Sequence, residues 1–228
     1  MQAGHRVTIV ESSPVIGQEV GAGILITPNF SRLLRMWGLG KLLDELAASG
    51  EGVMVRRYTT GEQIGFTSWG ETMKDYGAPY YQVHRADLHK MLYDLIAPHV
   101  TVLPGSLVVG CNPGPMAPSV TLGSGKVLIA DLIIGADGLK SYIQEVVLRK
   151  SNRAEETGDA AYRALVPTSL MMQDPELRQL IENPHLSVWP SPGRHLVGYH
   201  IVSIGFLQWF WLKRAHHRTL FVEERRAI

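Results

Sequence analysis

The chain has 228 residues, of which 45% are hydrophobic and 19% are charged, so it can bury a sizeable core and is not expected to be disordered. A net charge of +1 argues against a nucleic-acid-binding surface, and the single cysteine argues against a disulfide framework or a thiolate metal cluster. Because the first residues lack the apolar core of a signal peptide and the most apolar run, 201–212, is too short to span a bilayer, we expect a cytoplasmic protein without a membrane segment.

The sequence alternates between strand-like and helix-like segments. A β-branched segment at 6–11 predicts a strand, and Pro28 with Asn29 opens a helix that breaks near 38–40. A hairpin is predicted at 53–58 and 63–67, followed by a helix at 85–97. The remaining predicted elements are short strands near 101–103, 107–110, 120–122, 127–129, 162–166, 186–189 and 195–202, and a helix at 175–183.

Three early features suggest contacts with a ligand, each with a simpler alternative. Glu11 ends the first strand, where an acid commonly binds ribose hydroxyls, but it also fits an exposed strand-end acid. The glycine-rich loop that should precede such an acid by about 20 residues would lie before the first residue. Gly21-Ala22-Gly23 can bring the backbone close to a ligand or form a plain loop. Arg85 opens a helix and suits a pyrophosphate, but it also fits a surface charge.

The richest segment lies in the middle of the chain. Leu132–Ile134 predict a short buried strand, and the turn that follows holds Asp137 between Gly135 and Gly138. Ser141 is then placed to cap the next helix. In open α/β sheets, cofactors bind at the carboxyl ends of strands, so this segment predicts a site for a cofactor that carries sugar or phosphate groups.

These segments occur in the same order in a known family. The chain resembles FAD-dependent aromatic-ring monooxygenases of the salicylate hydroxylase and para-hydroxybenzoate hydroxylase type, and within them the fungal members of secondary metabolism. The resemblance covers about residues 3–202 and is carried by Val7–Glu11, Gly21–Ile24 with Pro28-Asn29, His84–Leu88, Asp131–Gly138, Ala161–Pro167 and Trp189–Tyr199.

The resemblance implies a set of cofactor-binding residues. Glu11 would bind the adenosine ribose of FAD, and the segment Gly21–Gly23 would approach the cofactor. Arg85 would contact the ribose–pyrophosphate region. Asp137 and Gly138 would belong to the motif that serves both FAD and the pyrophosphate of NAD(P)H.

The resemblance also implies the chemistry. FAD, NAD(P)H and oxygen together would hydroxylate an aromatic or secondary-metabolite substrate, and Arg163 would be a catalytic residue on a strand that faces the flavin. Tyr199 is a second catalytic candidate that equally fits a half-buried tyrosine of the sheet. No metal site is predicted, because the histidines have no ligand partners in the sequence pattern.

By comparison with the family pattern, we expect an α/β chain with an incomplete Rossmann-like FAD-binding domain and part of a β-rich substrate domain. The predicted bounds are 1–150, with inserted strands near 53–67, then 151–202, and a divergent tail at 203–228. The family's first strand, its phosphate loop and its later aspartate-bearing FAD motif are not found in this sequence, so we expect the chain to be inactive or impaired. The alternatives are a non-catalytic fragment and a flavin-dependent oxidase or dehydrogenase on the same scaffold.

Overall fold

The computed structural model describes residues 4–16, 22–152, 154–201 and 205–214. The chain divides into two compact units, one formed by Met1–Gln18 with Leu92–Glu156 and the other by Glu19–Met91 with Thr157–Ile228. The predicted domain bounds at 150 and 202 come from sequence motifs and stay a prediction. Within the described ranges, no helix combines the length and the apolar character needed to cross a membrane.

Strands and helices alternate along the described residues, as the sequence pattern predicts. In chain order, the strands are β1 (Thr8–Val10), β2 (Gly23–Ile26), β3 (Gly52–Arg56), β4 (Gln63–Ser68), β5 (Tyr81–His84), β6 (Thr101–Leu103), β7 (Val108–Asn112), β8 (Ser119–Leu122), β9 (Val127–Ile129), β10 (Asp159–Pro167), β11 (Leu186–Ser191), β12 (Arg194–Ile201) and β13 (Phe206–Arg214). The helices are α1 (Pro28–Met36), α2 (Gly40–Leu46), α3 (Trp69–Tyr76), α4 (Arg85–Ile96), α5 (Tyr142–Leu148), α6 (Thr168–Met171) and α7 (Pro175–Glu182), and a 3₁₀ turn covers Ala97–His99.

The first unit contains a parallel strand pair and an antiparallel meander. β1 pairs with β6 in parallel, with Ile9 opposite Val102. β7, β8 and β9 follow one another as antiparallel neighbours. Both β1 and β6 consist largely of β-branched or large apolar residues, which fit a pleated, partly buried surface.

The predicted buried strand at Leu132–Ile134 is wrong. These residues have no regular secondary structure, and the side chains of Leu132 and Ile134 are 73% and 79% exposed. A strand is defined by its backbone ladder, and no strand of the described part of the chain pairs with this segment. The apolar run therefore has strand composition without the neighbour that would make it a strand.

The second unit is built on a six-stranded sheet with the order β10-β13-β12-β11-β3-β4. β11 and β3 are parallel, and all other neighbours are antiparallel. The predicted hairpin at 53–67 is confirmed as β3 and β4. β13 lies inside the sheet and within the predicted divergent tail. Residues 206–214 pair with β10 on one side, and residues 206–213 pair with β12 on the other.

The core of the second unit lies between this sheet and the smaller elements around it. One buried cluster comprises Trp69, Leu186, Tyr199 and Ile201. β2 and β5 form an antiparallel pair, and Ile26, Val83 and Tyr81 in this pair are almost fully buried, as are Leu34 of α1 and Leu43 of α2. Close packing of these side chains fixes the position of β2, which begins with one of the predicted cofactor-binding glycines.

Candidate cofactor and active site

Glu11 lies where the sequence pattern places it, directly after the end of β1. Its backbone amide donates to the carbonyl of Leu103 over 3.1 Å, so the residue continues the line of the parallel pair. Its side-chain Oε1 accepts from the amide of Ser13 at 2.7 Å and from the hydroxyl of Ser12 at 3.3 Å. The carboxylate is thus oriented at the carboxyl end of a parallel strand, the position that binds ligands in α/β sheets.

The carboxylate of Asp137 organises the start of α5. Its Oδ2 accepts from the amide of Ile143 at 3.0 Å, and its Oδ1 accepts from the hydroxyl of Ser141. The same Ser141 oxygen accepts from the amide of Gln144 at 3.0 Å, which confirms the predicted N-cap. Partial burial acts to raise the pKa of Asp137, but the hydrogen bonds from Ser141 and from the backbone amides outweigh it and hold the pKa below its usual value.

Gly138 presents an open backbone surface. Its φ is +77°, a left-handed conformation that favours glycine, and no heavy atom lies within 4 Å of the position that a Cβ would take. A depression of about 340 Å³ adjoins it, and Leu139, Gln144, Asn152 and Ala154 line the rest of that depression. A group of small-molecule size can therefore reach the main chain at this turn.

In the second unit, Gly23 is held by side chains of the large sheet. Its carbonyl accepts from the hydroxyl of Tyr199 at 2.7 Å, and its amide donates to Oε1 of Gln208. A Cβ at this position would lie 2.6 Å from Cε2 of Tyr199 and 2.8 Å from Cδ1 of Ile201. Glycine is therefore required by close approach of the sheet. Gly21, the other glycine of the predicted motif, lies outside the described residues.

Arg85 is the first residue of α4 and lies beside the same strand end. Its backbone amide donates to the carbonyl of Ala22 over 3.0 Å. The residue is exposed, and it begins a helix of twelve residues whose N-terminal end favours negative charge. The structure thus brings Ala22, Gly23 and Arg85 together, although more than 60 residues separate Arg85 from Ala22 in sequence.

Arg163 and Tyr199 lie on one face of the large sheet. On β10, Arg163 is opposite Phe210 of β13. Two residues further along β10, Leu165 is opposite Gln208 of β13, which is in turn opposite Tyr199 of β12. Because side chains alternate along strands, these residues share a face. Arg163 is exposed, whereas Tyr199 is only 6% exposed. Burial raises the pKa of Tyr199 to about 12, although the charge of Arg163 lowers it in part.

Sequence comparison identifies relatives across most of the chain. FAD-dependent monooxygenase OpS4 of Beauveria bassiana is 34% identical over 203 residues, which are 87% of this chain and 47% of the relative. The 3-amino-4-hydroxybenzoate 2-monooxygenase of Streptomyces cremeus is 38% identical over 188 residues, which are 81% of this chain and 45% of the relative. The chain is a homologue of FAD-dependent aromatic monooxygenases. No family model matches it.

Solved structures of proteins in complex with FAD share the fold. CtdE in complex with FAD and a substrate superposes with a TM-score of 0.82 at 18% identity, over 95% of this chain and 53% of that one. Klebsiella pneumoniae HpxO with FAD and uric acid gives 0.77 at 16% identity, over 96% of this chain and 59% of that one. The predicted family resemblance and α/β fold class are thus confirmed. The chain spans about half the length of the curated monooxygenases it matches.

Two residues at the candidate site were not singled out in the sequence. Gln208 binds the amide of Gly23, and Phe210 lies beneath the guanidinium of Arg163. Both belong to β13, within the predicted divergent tail at 203–228. A usable signal was present: Gln208 is the one polar residue between Phe206 and Leu212, and a polar residue inside an apolar strand normally has a specific partner.

Proposed function

We propose that this chain is part of a FAD-dependent monooxygenase that uses NAD(P)H and oxygen to hydroxylate an aromatic substrate. The observation that carries the proposal is the arrangement in the second unit, where Gly23 and the start of α4 at Arg85 meet, and where Tyr199 on the Arg163 face of the sheet binds Gly23. These residues belong to motifs that are far apart in the sequence. Their juxtaposition supports a shared site.

Each unit by itself offers partners for chemical groups of FAD. Glu11 offers a carboxylate that accepts hydrogen bonds from ribose hydroxyls, at the carboxyl end of a parallel strand. Arg85 offers a cation and the N-terminal end of a helix, which suit a pyrophosphate. Gly138 offers open main chain beside a depression. When bound, FAD supplies the electron transfer and oxygen activation that amino-acid side chains lack.

The role proposed for Arg163 is to stabilise negative charge on the substrate. Its guanidinium is exposed on the sheet face and rests on the ring of Phe210, which limits its range of positions. Relatives named for hydroxybenzoate substrates include the enzyme of Streptomyces cremeus and 3-hydroxybenzoate 6-hydroxylase of Klebsiella oxytoca. We therefore propose a phenol or hydroxybenzoate as the substrate class, since Arg163 can bind a phenolate or a carboxylate.

Two further expectations belong to this proposal. The chain by itself is expected to be impaired in catalysis, because Leu132 and Ile134 of a predicted cofactor motif are exposed and their segment lies outside any sheet of the described residues. A reducing, cytoplasmic location is consistent with the single cysteine, Cys111, which is a free thiol.

The proposal is tested by adding FAD to the purified chain and measuring quenching of flavin fluorescence. NADPH and a hydroxybenzoate are then supplied under ¹⁸O₂, and the product is examined by mass spectrometry. Incorporation of one ¹⁸O atom into the ring supports the proposal, and Arg163→Lys should lower turnover at least tenfold without loss of FAD affinity, because lysine lacks the planar donor fork. Failure to bind FAD would contradict the proposal, whereas FAD binding without labelled product is the outcome expected if the chain by itself is impaired in catalysis.

A further inference from the structure

The main chain at Gly23 has an unusual pair of partners. In β2, Gly23 is opposite His84 of β5, yet its amide and carbonyl bond to side chains of the large sheet. The amide donates to the side-chain oxygen of Gln208, and the carbonyl accepts from the hydroxyl of Tyr199. A neighbouring strand would normally supply these two bonds through its own backbone. Two side chains therefore replace a strand at the outer edge of β2.

These two side chains are prepared for that role by the sheet itself. Tyr199 and Gln208 are directly opposite each other on β12 and β13. Both are nearly fully buried, with 6% and 3% of their surface exposed. Buried polar groups are costly unless they are hydrogen-bonded, so each side chain is strongly bound to its partner on Gly23. Gln208 supplies an acceptor and Tyr199 a donor.

The absence of a side chain at Gly23 makes this contact possible. A Cβ would lie 2.6 Å from Tyr199 and 2.8 Å from Ile201, distances that real Cβ atoms essentially never show. Gly23 is therefore a point of close contact between the strand and the sheet. The next residue toward the N-terminus, Ala22, bonds through its carbonyl to the amide of Arg85. Fixing Gly23 thus also fixes the path of the chain beside the start of α4.

We propose that Tyr199 and Gln208 are a pair of positioning residues that hold the Gly23 peptide in place for the cofactor. Gln208 has no role in the sequence-based assignment, and Tyr199 acts here through the backbone of Gly23. We call Tyr199, Gln208 and their two hydrogen bonds to Gly23 the clamp, and the clamp is present in the chain without any ligand. Its consequence for FAD affinity rests on the proposed function.

The clamp is tested by site-resolved amide hydrogen exchange on the whole chain without ligand. Gln208→Met keeps the side-chain length and removes the acceptor, so the Gly23 amide should exchange about fivefold faster. Tyr199→Phe removes only the donor to the carbonyl and should have a smaller effect on the same amide. The internal reference is the amide of Gln82, which donates to the carbonyl of Ala48 at 2.9 Å and should be unchanged.

Two matched controls accompany these variants. Tyr162→Phe removes a hydroxyl from a half-exposed tyrosine on the opposite face of the same sheet, and Gln63→Met changes an exposed glutamine of β4. Neither should alter exchange at Gly23. Unchanged exchange at Gly23 in Gln208→Met would overturn the clamp, and so would an equal rise at Gly23 and Gln82, because that would indicate a general loss of stability.

The consequence for the cofactor is measured separately by titration with FAD. The double variant Tyr199→Phe/Gln208→Met should bind FAD about tenfold more weakly than the unmodified chain. Equal affinity in the two proteins would overturn the positioning role. If the unmodified chain binds no FAD, the proposed function fails for this chain, and the exchange measurement still decides whether the clamp exists.

Discussion

The guanidinium carbon of Arg163 lies 5.4 Å from the centroid of the Phe210 ring, and the two residues face each other across β10 and β13. A cation over an aromatic ring at an exposed site contributes roughly 0.5–1 kcal/mol. A double-mutant cycle with Arg163→Ala and Phe210→Leu should therefore yield a coupling of about that size in the free energy of unfolding. Arg194 lies on the other face of the sheet, so a control cycle with Arg194→Ala and Phe210→Leu should give a coupling near zero.

Replacement of Gly23 by alanine should destabilise the second unit. The new Cβ would collide with the side chains of Tyr199 and Ile201, and overpacking of this kind costs roughly 1–3 kcal/mol. Gly65→Ala is the matched control, because it lies in β4 and its Cβ would meet Val55 at an ordinary 3.7 Å. Chemical denaturation of both variants measures the difference. Equal stabilities would contradict the close approach at Gly23.

Stability should fall at alkaline pH through two buried tyrosines. Burial raises the pKa of Tyr81 and of Tyr199 to about 12, against an ordinary value of 10.0. The unfolded chain then loses these protons at lower pH than the folded chain does. The contribution of the two tyrosines to the free energy of unfolding is complete below pH 10 and is lost as the pH rises to about 12. Tyr199→Phe should flatten this decline, and absorbance at alkaline pH follows the tyrosine ionisation directly.

A carboxylate at the start of α5 predicts the opposite dependence on pH. The pKa of Asp137 is held below its ordinary value of 3.8, so its contribution to stability is present above that pH and is lost as the pH falls through the folded-state value. Asp137→Asn should therefore be less stable than the unmodified chain near neutral pH, and the difference should vanish in acid. Asp131→Asn, in the same exposed segment, is the control and should match the unmodified chain at both pH values.

Removal of the cap on the same helix gives a simpler test. Ser141→Ala deletes the hydroxyl group whose oxygen accepts from the amide of Gln144 and whose O–H donates to Oδ1 of Asp137. Loss of such an N-cap costs typically about 1 kcal/mol of helix stability. Amide exchange within 142–148 measures it. Unchanged exchange would show that the cap contributes nothing to α5.

Local patterns predicted most of the elements well. The hairpin at 53–67 and the helix that begins at Arg85 follow from strand alternation and helical spacing, which are encoded within a few residues. The cap at Ser141 likewise depends only on nearby backbone groups. These features require no knowledge of distant partners.

Pairing over long distances was less accessible. Leu132–Ile134 has the composition of a strand, but a strand also needs a neighbour, and composition does not reveal whether one is present. Gln208 binds Gly23 across 185 residues, and a single sequence gives no indication of that partner. The assigned roles of Glu11, Arg85 and Arg163 stay predictions, because the fold shows their positions and hydrogen bonds, whereas their function depends on a bound cofactor.

The position of β13 inside the large sheet has a consequence during synthesis. Among the described strands, β10 pairs only with β13, which leaves the ribosome roughly 40 residues later, so β10 emerges as a strand without a partner. At usual elongation rates of about 5–20 residues per second, this state lasts for seconds. Tyr162 and Leu165 of β10 can then contact neighbouring nascent chains. The yield of the native sheet should therefore fall when many chains are made close together, and rise with chaperones that bind exposed strands.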